Sequence, residues 1–270
     1  MALVFIQCIV NALFAKVALS LERSNVKDTT THKSYAMMAF SYVGAMLASN
    51  QALQYVSYPT QVLGKSIKPI PVMILGVIYA HKRYPLRKYG FVLLITLGVA
   101  LFMFKDKKGG LDTDHTFGWG EGLLIISLLL DGMTGAVQER ARSEHRTQAY
   151  PMMINMNVWA VLYLGVALLV TGEGYNFVLF SMRFPSVLFQ MFTFSIMSAI
   201  GQVFIFITVT TFGPLTCSII TTTRKFFTIL ASVVIFQHPM TSRQWMGTSM
   251  VFVGLTMDSV YGKERKNQQK

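Results

Sequence analysis

A chain of 270 residues that is 53% hydrophobic and 13% charged, with mean hydropathy +0.47, excludes an ordinary water-soluble domain, in which about 25% of residues are charged. The net charge of +12 invites a nucleic-acid reading, but the basic residues sit in short runs between apolar segments and no solvated basic domain exists to bind nucleic acid. The two cysteines, Cys8 and Cys217, each lie within an apolar stretch and exclude a disulfide framework.

Nine apolar segments follow one another, at about 2–19, 34–56, 59–80, 86–104, 119–139, 150–171, 184–211, 214–236 and 241–261. Most reach the roughly 20 residues that a spanning helix needs. The expected fold is therefore an all-α polytopic membrane protein with nine transmembrane helices. The first segment lacks the basic leader of a secretory signal and carries Lys16 near its end, so it reads as a span. The longest loop is the polar stretch 105–117, which leaves no room for an extramembrane domain. Basic residues set the orientation. Fifteen border one side, among them Arg23, Lys82, Arg87, Arg140 and Lys263, against five on the other, Lys105, Lys107, Lys108, Arg183 and Arg243. The richer side, with the C-terminal tail, is expected to be cytosolic.

Four basic residues remain, all at membrane depth: Lys65, Lys68, Arg224 and Lys225. A charged side chain at the centre of a spanning helix costs roughly 2.5–3.5 kcal/mol. In the third segment, PTQVLGKSIKPIPVMILGVIYA, Lys65 and Lys68 share a helical face about 4.5 Å apart along the axis, with Gln61 one turn earlier. Pro69 and Pro71 lack N–H groups and let this helix bend. Irregular backbone at such depth is tolerated where it lines a cavity. In the eighth segment Ser218, Thr221, Thr222 and Lys225 share a face, with Arg224 about 100° round from Lys225.

Near the centre of a span there is one acid, Asp131 in SLLLDGMTG; Glu121, Glu139 and Asp258 fall near span ends. One carboxylate cannot offset four cations. An anion site is expected, because hydroxyls beside ammonium and guanidinium groups are what phosphate oxygens need. The competing expectation is a closed internal network around Asp131. That residue is expected to hold a structural partner, or else to couple or gate transport.

Other motifs carry no chemistry. Gly64-Lys65-Ser66 mimics the end of a phosphate-binding P-loop, but Pro59 stands where its first glycine belongs and no strand precedes it. The five histidines fall in loops without metal-ligand spacing, and no nucleophile–base pair can be placed at depth. The expectation is no metal, no cofactor and no enzyme.

An internal repeat relates the two cationic segments. Moving the third and fourth segments forward by 156 residues sets Lys68 on Arg224, Ser66 on Thr222 and Gly98 on Gly254, and brings Pro59 within a residue of Pro214. An offset of five spans inverts one copy across the membrane. The expected single transporter domain then has one repeat at 1–110, a second at 118–262 and a cytosolic tail at 263–270. Extending the repeat backwards leaves the fifth segment without a partner, so the expected architecture is a ten-helix inverted-repeat fold whose first helix is missing from this chain.

YPTQVLGKSIKPIPV at 58–72, GVALFMFK at 98–105, LDGMTG at 130–135 and FGPLTCSIITTTRKFFTIL at 212–230 resemble signature stretches of the nucleotide-sugar transporters of solute carrier family 35, B subfamily, in the drug/metabolite transporter superfamily. The resemblance covers essentially the whole chain. It implies two inverted five-helix halves, alternating access to a cavity between them, and phosphate-binding cations at Lys65, Lys68, Arg224 and Lys225. Gln61, Ser66, Thr221, Thr222 and Thr223 are the polar neighbours expected around the substrate. The implied substrate partner is a nucleotide or nucleotide sugar, exchanged as ATP for ADP or as UDP-galactose or UDP-glucose for UMP. The implied location is the endoplasmic-reticulum membrane, with the Golgi as second choice. The tail KERKNQQK departs from a dilysine retrieval signal, because Gln268 stands third from the end. ATP carries about four negative charges and a UDP-sugar about two, so four clustered cations fit the larger charge better. The alternative expectation is a chain that moves no substrate and acts as a membrane interaction or regulatory subunit.

Overall fold

A computed structural model describes residues 1–22, 28–56, 58–103, 118–235 and 242–268; the expected loop at 105–117 and the basic residues Arg23, Lys27, Lys105, Lys107, Lys108 and Lys270 lie outside them. Among the described residues every element is an α-helix: α1 (Ala2–Glu22), α2 (His32–Ala52), α3 (Tyr58–Ser66), α4 (Pro69–Ile78), α5 (Leu86–Met103), α6 (Trp119–Glu144), α7 (Ala149–Thr171), α8 (Glu173–Arg183), α9 (Ser186–Phe212), α10 (Pro214–Ile235) and α11 (Ser242–Gln268). By length and composition α1, α6, α7 and α9 are apolar enough to cross a bilayer, and α4 is a shorter apolar helix.

Each of the nine apolar segments holds helix among the described residues, but the helices there number eleven rather than nine. One added break splits the third segment into α3 and α4. The other addition is α8, in a stretch that reads as a polar interruption. Gly172 ends α7 and opens α8 at φ 69°, a left-handed conformation that costs glycine no Cβ clash. Helix α8 buries none of its residues; Tyr175, Val178, Leu179 and Met182 form an exposed apolar stripe at one-turn spacing. At the other end of the chain, α11 runs on through the good helix formers of KERK to Gln268, so the expected tail begins as helix.

The chain divides into two compact units: Met1–Leu47 with Met133–Cys217, and Ala48–Gly132 with Ser218–Lys270. The first is organised by α1, α7 and α9, which pack on one another. An apolar cluster of Cys8, Val43, Ala160 and Leu164 fills part of it. Amides tie the same helices: buried Asn157 donates through Nδ2 to Gln202 Oε1 at 3.0 Å, and half-buried Gln7 through Nε2 to Ser198 Oγ. Ser41 and Thr134 hydroxyls meet at 2.8 Å. In lipid, where apolar faces gain little from meeting each other, such bonds and close fit supply the association.

The second unit rests on α5 and α11, which run antiparallel in close contact. A Cβ placed on Gly98 would lie 2.9 Å from the Gly247 carbonyl oxygen and 3.0 Å from Val251 Cγ2; one on Gly254 would lie 2.7 Å from Ile95 Cγ1. The Gly98–Val251 and Ile95–Gly254 contacts are reciprocal, since Val251 and Gly254 stand 156 positions after Ile95 and Gly98. Lys88 Nζ donates to both Asp258 oxygens, at 2.6 and 2.8 Å, and pins one end of the pair. Phe226 of α10 is fully buried, 4.9 Å from Phe102 ring to ring, with Phe252 beside it. That aromatic cluster holds α10 to the α5–α11 pair.

A cationic site around Asp131

All the basic and polar residues marked for an anion site lie in the second unit. The break between α3 and α4 places the first pair. Pro69 and Pro71 cannot donate to the carbonyls of Lys65 and Ile67. Shorter bonds take their place: Lys68 N–H donates to the Lys65 carbonyl at 3.4 Å and Ile70 N–H to that of Ile67 at 3.0 Å. The ordinary helical ladder resumes with Val72 N–H on the Lys68 carbonyl at 3.3 Å. Proline at the first position of α4 suits a helix start, where an N–H would have no partner. Lys65 thus closes α3 and Lys68 precedes α4, one on each side of a tightened turn.

Helix α6 brings Asp131 to that turn because the next residue is glycine. A Cβ on Gly132 would lie 3.0 Å from the Pro71 carbonyl oxygen and 2.9 Å from Leu75 Cδ1, so any larger residue would push α6 off α4. Asp131 then splits its carboxylate between the two lysines: Lys65 Nζ donates to Oδ2 at 2.9 Å and Lys68 Nζ to Oδ1 at 3.1 Å. The acid is the more enclosed partner, with 12% of its side chain exposed against 20% for Lys65 and 35% for Lys68. An ammonium has three N–H donors. Each lysine uses one on Asp131 and keeps two for an oxygen from outside.

The second pair stands on unbroken helix. Lys225 of α10 lies within Coulombic reach of Lys68, Lys65, Arg224 and Asp131. Arg224 is exposed. Among the described residues neither Arg224 nor Lys225 forms an ion pair. Ser218 and Thr222, both buried, precede Lys225 at one-turn intervals along α10, and the Ser218 hydroxyl has no hydrogen-bond partner among the described residues.

The other expected neighbours are committed elsewhere. Ser66, Thr221 and Thr223 donate to the carbonyls of Val62, Ser218 and Ile219, at 2.8, 3.0 and 2.8 Å. Gln61 Nε2 donates to the Ser49 carbonyl and hydroxyl, both at 2.8 Å, and moors α3 to the end of α2. Among the expected hydroxyls, that of Ser218 is buried without a hydrogen-bond partner among the described residues. Sequence reading did not find Ser49 or the role of Gly132; the small residue directly after a buried charge was the available signal for the latter.

A family model matches residues 1–262 and describes the UAA transporter family. The chain belongs to the UAA transporter family. It is 56% identical over 266 residues to solute carrier family 35 member B1 of Xenopus laevis, which covers 98% of this chain and 83% of that relative. The chicken (Gallus gallus) protein of the same name is 55% identical over 263 residues, 97% of this chain and 81% of the relative. The Drosophila melanogaster homolog is 47% identical over 264 residues, 98% of this chain and 78% of the relative. The resemblance carried by the signatures at 58–72 and 212–230 therefore holds. This UAA-family chain is a multi-pass membrane transporter and not an enzyme.

Proposed function

We propose that this transporter is an antiporter that exchanges nucleotides or nucleotide sugars across the endoplasmic-reticulum membrane, ATP for ADP or UDP-galactose or UDP-glucose for UMP. The observation that carries the reading is a surplus of positive charge: Lys65, Lys68, Arg224 and Lys225 lie in one electrostatic neighbourhood with one carboxylate among them. Two cations have no internal acid among the described residues, and the two that share Asp131 keep N–H donors in hand. Ammonium and guanidinium groups together suit a chain of phosphates, as point charges and as a planar fork.

Alternating access between two inverted repeats accounts for the reciprocal Gly98–Val251 and Ile95–Gly254 contacts, which pair equivalent positions of the α5 and α11 copies. The nine apolar segments then cross the membrane, with the C-terminus in the cytosol; the Golgi is the second location for the same topology. Purified protein in liposomes preloaded with ATP, ADP, UMP or no nucleotide, and offered labelled ATP or UDP-galactose, tests the reading. Uptake that depends on an internal nucleotide is the expected result. Uptake of no nucleotide under any loading overturns it.

A further inference from the structure

A site selected only for tight anion binding would hold no carboxylate, because an acid repels phosphate and takes up donors that phosphate could use. Asp131 does both. It occupies one N–H of Lys65 and one of Lys68, from a more enclosed position than either. The helix that carries it is also held close, since Gly132 lets α6 lie against the Pro71 carbonyl. The four cations and this acid leave a formal surplus of three positive charges.

We propose that Asp131 is a specificity-determining residue: by trimming the charge of the site it holds back the most highly charged nucleotides relative to less charged ones. The inference rests on the nucleotide-exchange reading above. Coulomb energy scales with the product of the charges, so one negative charge removed from the site helps each ligand in proportion to its own charge. A nucleoside triphosphate carries about four negative charges, a nucleoside diphosphate about three and a nucleoside diphosphate sugar about two. Without Asp131 the triphosphate gains most and the sugar nucleotide least. Tighter holding also slows release, so apparent KM and kcat for the triphosphate fall together. Asp131 thereby sets which anions the site can both take and let go.

The experiment is competition by ATP, ADP, UDP-galactose and UMP against one labelled nucleotide, in liposomes containing wild type, Asp131→Asn, Asp131→Glu or Lys225→Gln. Asp131→Asn is expected to shift the ATP to UDP-galactose affinity ratio about tenfold towards ATP, with ADP in between, and to lose part of that shift as salt is raised. Asp131→Glu keeps the charge and the wild-type ratio. Lys225→Gln, which lowers the charge of the site by one, moves the ratio the other way; if Asp131→Asn does not reach the membrane, Asp131→Ser removes the same carboxylate and is read in its place. If Asp131→Asn, or Asp131→Ser in its place, lowers all rates with the ratio unchanged, Asp131 is only a structural partner of the lysines and the inference falls. A wild type that exchanges none of the four overturns the function reading instead.

Discussion

Two stretches of this chain carry paired cations, and the fold treats them oppositely. Lys65 and Lys68 flank a broken helix and share one aspartate; Arg224 and Lys225 sit on continuous α10 with no acid paired to them among the described residues. The first pair is held in place by the protein, through two short bonds and a tightened turn. The second is placed by its helix, whose next residue, Phe226, packs against Phe102. A held charge defines geometry and an unheld charge supplies attraction. A polyanion site needs both.

The largest effect should come from removing one cation of each kind. Lys68→Gln and Arg224→Gln are each expected to cut nucleotide exchange on the order of 100-fold while the protein still inserts and purifies, because a charged phosphate contact is lost. Equal exchange by either variant would break the assignment of that pair to the site. The second prediction separates held from unheld charge by a double-mutant cycle on thermal stability in detergent. Lys65→Gln with Asp131→Asn should show a coupling of about 1–3 kcal/mol, and Lys225→Gln with Asp131→Asn less than about 0.5 kcal/mol. Similar couplings would erase the contrast.

Two smaller changes away from both pairs sharpen it as controls. Gly98→Ala presses a methyl group to 2.9 Å from a carbonyl oxygen, so a loss of about 1–3 kcal/mol in stability is expected, read as a lower melting temperature. Asp258→Asn weakens the Lys88 pair, whose two side chains are each 22% exposed, and should cost about 1 kcal/mol. Neither control should alter the ratio in which competing nucleotides bind. A change in that ratio would extend the site to the α5–α11 pair.

Much of this was legible beforehand, for physical reasons. Hydropathy located the all-helical character of the chain because lipid demands long apolar runs, and the break in the third segment lies where two prolines remove donors. The family signatures were legible because they are long. Helix α8 was not, since Glu173, Asn176 and Arg183 interrupt its apolar residues and an amphipathic helix does not raise a hydropathy average. Charge counting found a surplus around Asp131, but which lysines that acid would hold depends on the approach of α6 to α4 at Gly132, a contact between distant residues. The partners of the hydroxyls were not legible, for a local reason. Serine and threonine within a helix readily donate to the carbonyl one turn back, as Ser66, Thr221 and Thr223 do, which removes the proton a phosphate would want.

The three glycines at the crossing of α5 and α11 have a mechanical consequence. At Gly98 and Gly247 main chain rests on main chain, with Met250 and Val251 close against the same glycine. Sliding either helix by one residue would drive Ile95 or Met250 into the hollow that a hydrogen atom now fills. The two helices, clamped at one end by Lys88 and Asp258, therefore form a single stiff beam within their unit.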